Sequence, residues 1–176
     1  IIISKATEIF EGSGFGIFAK AIANGSIIRA IPAPECASKA RSFFDKTIEF
    51  AIANGAGGLA YIIFDKEGLA KGPIAKFLSE DKLQLLKQTA NLNAGDAVFF
   101  SCGNELEAAK IAGLVRTKLA YDLDLINKSI YKFCWIIDFP MYEINSETGK
   151  VDFSHNPFSM PQGEMKALEN IDPLKI

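Results

Sequence analysis

The stretch Asp96–Leu125, "DAVFFSCGNELEAAKIAGLVRTKLAYDLDL", changes its period partway along. "DAVFFSCG" is a near-continuous apolar run ending at glycine, the pattern of a strand buried on both faces. From Asn104 onward Ala108, Ile111, Ala112, Val115 and Leu119 recur three or four residues apart. That spacing lines one face of a long helix. A buried strand leading directly into a helix with one apolar face implies a sheet with helices packed on it.

The same grammar recurs upstream. "GLAYIIFD" (Gly58–Asp65) is another buried-strand pattern, and "KEG" turns the chain after it. "SKARSFFDKTIEFAIANGAG" places Phe43, Phe44, Thr47, Ile48, Ala51 and Ile52 at helical steps, with Ser38 as the expected N-cap. "GFGIFAKAIANG" puts Phe15, Phe18, Ala19 and Ile22 on one helical face. Both helices stop at "IANG", because Asn and Gly tolerate left-handed backbone; the repeat is helix-stop chemistry, not duplication. "SIIRAIPAP" is a short β-rich run broken by two prolines. A further helix starts near Ser79, with Leu83, Leu86 and Ala90 inward. Helices and strands thus alternate up to about Leu125, which predicts a sheet covered by helices on one side.

Composition narrows the function classes. The 176 residues suit one domain, or one small domain with a piece of another, and 49% hydrophobic content supports a real core. Nineteen basic and 21 acidic side chains leave a net charge of −2, so no global basic excess signals nucleic acid. Cys36, Cys102 and Cys134 are odd in number and far apart, as for free thiols in a reducing compartment. There is no CxxC and no Cys/His cluster, so no metal site is expected. No apolar run reaches the ~18 residues of a membrane-spanning helix, and "IIISKATEIF" is not a signal peptide. A cytoplasmic protein is expected. The abrupt ends, "III" and "IDPLKI", suggest a piece of a longer chain.

After Ile126 the texture changes. "YKFCWIIDFPMYEI" predicts a long aromatic strand, "NSETGK" a polar turn, and "VDFSHNPFSMP" an extended, proline-limited segment. "QGEMKALENI" has room for one or two helical turns. A hairpin of this size is marginal by itself.

Several stretches invite chemistry, and most have a plainer explanation. "GSGFG" (Gly12–Gly16) lacks both the G-x-G-x-x-G spacing and a G-K-[ST], so a linker is favoured over a phosphate loop. Cys102 ends a strand before a helix, but the only histidine lies far away, so a structural thiol is favoured over a nucleophile. Lys71 and Lys76 are expected to be solvated. Phe99, Phe100, Phe133 and Trp135 sit among apolar neighbours, which predicts core packing over a stacking platform for bases. Asp138 and Glu143 bracket "FPMY" without a second acidic cluster. His155, the single histidine, is open on residues alone between a binding role and a loop hydrogen bond.

"WIIDFPMYE" followed by "FSHNPFSMP" resembles the bacterial-type aspartyl-tRNA synthetases. The shared features are Trp135, Asp138, Phe139, Pro140 and Met141, then His155, Asn156, Pro157, Phe158, Ser159 and Pro161. Upstream, "GAGGLAYI", "GPIAKFLS" and "GDAVFF" with its helix look like the insertion (GAD) module of that family, also found in the B subunit of the glutamyl/aspartyl-tRNA amidotransferase. The resemblance covers essentially the whole chain. It implies an α+β architecture. Residues 1–125 would be a two-layer, DCoH-like GAD insertion domain with an antiparallel sheet and helices on one face. Residues 126–176 would be a short segment of the class II antiparallel catalytic domain.

By motif position His155 would lie at the aspartate pocket, offering hydrogen-bond and charge complementarity to a carboxylate of aspartate or its adenylate. Many bacterial members carry a second histidine where this sequence has Asn156, an amide that cannot titrate. The class II arginine motifs are missing, so no catalytic residue is assigned and this segment alone is expected to be inactive. The parent would be an ATP- and Mg2+-dependent ligase acting on L-aspartate and tRNA(Asp), with tRNA(Asn) left open as a second acceptor. The resemblance also implies a homodimeric parent and a monomeric fragment without bound cofactor. The alternative is a free-standing tRNA- or protein-binding accessory module. Its tail should fold in isolation with His155 an ordinary surface residue, whereas a ligase piece should leave the region after Ile126 poorly packed, or held by its insertion domain alone, with His155 exposed.

Overall fold

The computed structural model describes residues 1–135, 137, 139–145, 147–154 and 160–176. The chain divides into two compact units, Ile1–Asn127 and Lys128–Ile176.

The first unit runs β1 (Ser4–Lys5), α1 (Thr7–Phe10), α2 (Gly16–Ala23), β2 (Ile27–Ala33), α3 (Arg41–Ala53), β3 (Ala60–Phe64), β4 (Ala70–Lys71), a 3-10 turn at Ala75–Phe77, α4 (Glu80–Thr89), β5 (Ala97–Gly103) and α5 (Glu105–Asp122). The five strands form one sheet in the order β1-β2-β5-β3-β4, every neighbouring pair antiparallel. The α+β class with an antiparallel sheet is as the family resemblance implied.

The layering differs from the expectation of helices on one face. Ile28, Ala30, Ile62, Phe64, Val98 and Phe100 face one core with Ile9 and Phe10 of α1, Phe18 of α2, and Leu83 and Leu86 of α4. Ile31, Ala33, Ala97 and Phe99 face another with Phe44 and Ala51 of α3 and Ile111, Ala112, Val115 and Leu119 of α5. Alternate residues of each strand feed opposite cores, so helices cover both faces of the sheet. The cause is visible in β5: Ala97 to Ser101 are all buried, and a continuous apolar run needs cover on both sides. Its aromatic rings join these layers. Phe100 packs edge-on to Phe10 with centroids 4.9 Å apart, and Phe99 lies 5.7 Å from Phe44 on the other face.

Pro32 does not break the strand as expected; β2 stays in register with β5 through Pro32↔Val98 and Ala33↔Ala97. The N–H of Ile28 donates to Thr7 Oγ1 and its carbonyl accepts from Ala6, so Ile28, Ala30 and Pro32 point their backbone groups towards β1. β1 pairs only with Arg29 and Ala30. The residue without an N–H therefore sits where no ladder bond is required.

Ser38 is not the cap of α3. The helix begins at Arg41, and the capping residue is Ala40, which makes no side-chain cap. Ser79 does cap α4. Asn104 and Glu107 form a reciprocal capping box on α5: the Glu107 N–H donates to Asn104 Oδ1 at 2.9 Å, and Glu107 Oε2 accepts from the Asn104 N–H at 3.4 Å.

The second unit holds a two-stranded antiparallel hairpin of β6 (Tyr142–Ile144) and β7 (Val151–Phe153), then α6 (Glu164–Asn170) and a 3-10 turn at Pro173–Lys175. The long aromatic strand expected across "YKFCWIIDFPMYEI" is only three residues long among the described residues. Phe133 and Trp135, expected in a core, are 97% and 94% exposed. Their pattern is that of a strand, but a strand buries its side chains only when a sheet supplies neighbours. Among the described residues of this unit Ala167 alone is buried.

Candidate functional site

The hairpin is built around Asn145. Its N–H donates to the Lys150 carbonyl at 2.8 Å, and its carbonyl accepts from Gly149 at 2.8 Å. Asn145 Oδ1 accepts from the Glu147 and Thr148 N–H groups. Gly149 has φ +67°, which closes the turn in a conformation glycine adopts without a Cβ clash. This is the physical content of "NSETGK". The turn aligns Tyr142 with Phe153 and Ile144 with Val151 on one face, with the first pair of rings 4.9 Å apart. Glu143 faces Asp152 on the other, a like-charge pair open to water.

Beyond β7, Ser154 ties the chain back to the "DFPM" segment. Its N–H donates to the Met141 carbonyl at 3.1 Å, and its hydroxyl donates to the Pro140 carbonyl. The Met141 N–H in turn donates to the Ile176 carbonyl at 2.9 Å. A hollow of about 490 Å3 lies here, walled by Phe139–Met141, Met160–Gln162, Ile171 and Leu174–Ile176. Gln162 and Lys175 are the polar side chains among these walls, so the hollow suits a small molecule with an apolar bed and a few polar contacts. His155, with Asn156, Pro157, Phe158 and Ser159, lies outside the described residues, as does Asp138. Ser154 and Met160, which flank that segment in sequence, meet the hollow's walls directly: Ser154 by its bonds, Met160 as a wall.

The sequence reading did not find the hollow. Its signal was present in Pro140 and Pro161, which hold two extended segments without donating to a ladder, but apolar wall residues carry no chemistry of their own to single them out.

Other candidates resolve into structural roles. The Gly14 N–H donates to the Phe77 carbonyl at 3.3 Å, so "GSGFG" is a packed connection between α1 and α2. Cys102 is half-buried, and burial raises its thiol above the ordinary range, opposite to the activation a nucleophile needs. Lys71 pairs with Asp65 at 2.7 Å, and Lys76 lies 5.1 Å above the Phe77 ring. The Lys71 ammonium, then the Leu69 N–H, hold the Asp65 carboxyl below its usual range. Glu143 is exposed in β6.

Among the described residues no three His, Cys, Asp or Glu gather where a metal could bind. No arginine follows Arg116 in the sequence, so the second unit offers no guanidinium fork for a polyphosphate. Among the described residues no helix is long and apolar enough to cross a membrane.

The GAD domain family matches residues 18–112. The aspartate–tRNA(Asp/Asn) ligase of Rickettsia bellii (strain OSU 85-389) is 63% identical over 170 residues, 97% of this chain and 28% of the ligase. That of Paramagnetospirillum magneticum is 60% identical over 176 residues, 100% of this chain and 20% of the ligase. That of Rickettsia felis is 61% identical over 96% of this chain and 28% of the ligase. The chain therefore spans between a fifth and somewhat over a quarter of these relatives.

Proposed function

The chain belongs to the GAD domain family, and we propose that it is a segment of an aspartate–tRNA ligase in which a GAD insertion domain (1–125) leads into part of the class II catalytic domain (126–176). The observation that carries this reading is that the similarity to the ligases, 60–63% identity overall, covers 97–100% of the chain and so runs on beyond the residues the GAD family matches. The exposure of Phe133 and Trp135 supports it. A free-standing accessory module would bring an aromatic ladder of this size into its own core or onto a partner; a piece of a larger sheet leaves it bare.

The parent is a homodimeric cytoplasmic enzyme that takes L-aspartate and tRNA(Asp), with tRNA(Asn) as a second acceptor. ATP and magnesium are held by residues of the parent outside this segment. His155 supplies a hydrogen-bond donor, charged when protonated, to a carboxylate of aspartate. Supporting this are its place in the "HNPF" motif and the anchoring of the adjacent Ser154 to Pro140 and Met141. By itself the segment is a monomer that neither binds ATP nor activates aspartate.

The test is aspartate-dependent ATP–pyrophosphate exchange on the full-length ligase. A hydrogen bond to a charged group is worth about 1.5–3 kcal/mol, so His155→Ala should raise the aspartate KM by roughly tenfold or more and leave the ATP KM unchanged. An unchanged aspartate KM removes His155 from the pocket. Exchange by residues 1–176 alone would overturn the assignment as an inactive piece. Charging of purified tRNA(Asn) beside tRNA(Asp) decides the second acceptor.

A further inference from the structure

We draw no further inference here: the strongest candidate, the apolar hollow between Met141 and Met160 in the C-terminal unit, belongs to the pocket already described, and nothing in the structure shows what covers the exposed aromatic ladder of Tyr131, Phe133 and Trp135 in the same unit.

Discussion

Asp96 shows how much one side chain can hold. It is buried, and its two oxygens accept from different loops: Oδ1 from the Glu35 N–H at 2.9 Å, Oδ2 from the Asn93 N–H at 2.8 Å. Glu35 has φ 55°, a conformation that costs a non-glycine residue energy and needs such a hold. Asp96→Ala removes the acceptor of both part-buried N–H groups. A loss of about 1–3 kcal/mol is expected, read as a lower urea midpoint with the slope unchanged. Cys36, on the same loop, is fully buried, and burial pushes its thiol from the ordinary 9.0 up to about 11. Its folded-state pKa lies above the unfolded value. Stability is therefore complete below pH 9 and falls as the pH rises from 9 through about 11. Cys36→Ser should flatten that alkaline limb in thermal melts from pH 8 to about 11, and an unchanged limb would show that another group titrates there. Cys36 was legible as a free thiol from its distance to the other cysteines. Asp96 was not legible, because one of the two groups it binds, the Glu35 N–H, lies 61 residues away in sequence.

At the scale of elements, α5 and the connecting segment after it make opposite predictions. α5 carries its own start signal in the Asn104–Glu107 box. Asn104→Ala should cost about 1 kcal/mol, measured as a lower Tm of the first unit, while Asn104→Asp should restore most of it. The helix periods of α3, α4 and α5 were plain in the sequence because the apolar residues each buries recur at three- and four-residue steps. The start of α3 was not. Ser38 has the right side chain, but the chain first passes through a turn in which the Lys39 N–H donates to the Cys36 carbonyl, and the helix opens three residues later. Residues 128–135 have no regular secondary structure and are exposed. Limited trypsin digestion should therefore cut after Lys128 and Lys132 before any site in β5 or α5, leaving a stable product that ends near Asn127. Early cuts within β5 or α5 would contradict the core described for them.

For the whole molecule the two units differ in what their residues can bury. The first places apolar side chains on both faces of a five-stranded sheet. Residues 1–127 alone should unfold in a single cooperative transition. Residues 128–176 bury Ala167 alone among those described. In the 176-residue chain their amides should exchange far faster than those of β5, measured by hydrogen exchange and mass spectrometry. Protection in 128–176 equal to that of β5 would contradict this. The same amides should become protected in the full-length ligase. The sequence by itself determined the types of the longer elements of the first unit, because periodicity is a local property of the chain, and its short motifs carried the family resemblance that implied the antiparallel α+β class. Tertiary structure alone decided that helices cover both faces, that Pro32 is tolerated, and that Phe133 and Trp135 stay exposed. Burial belongs to a side chain together with its neighbours: Phe99 and Phe133 are the same residue in similar apolar company, and only the presence of a sheet around one of them puts it in a core.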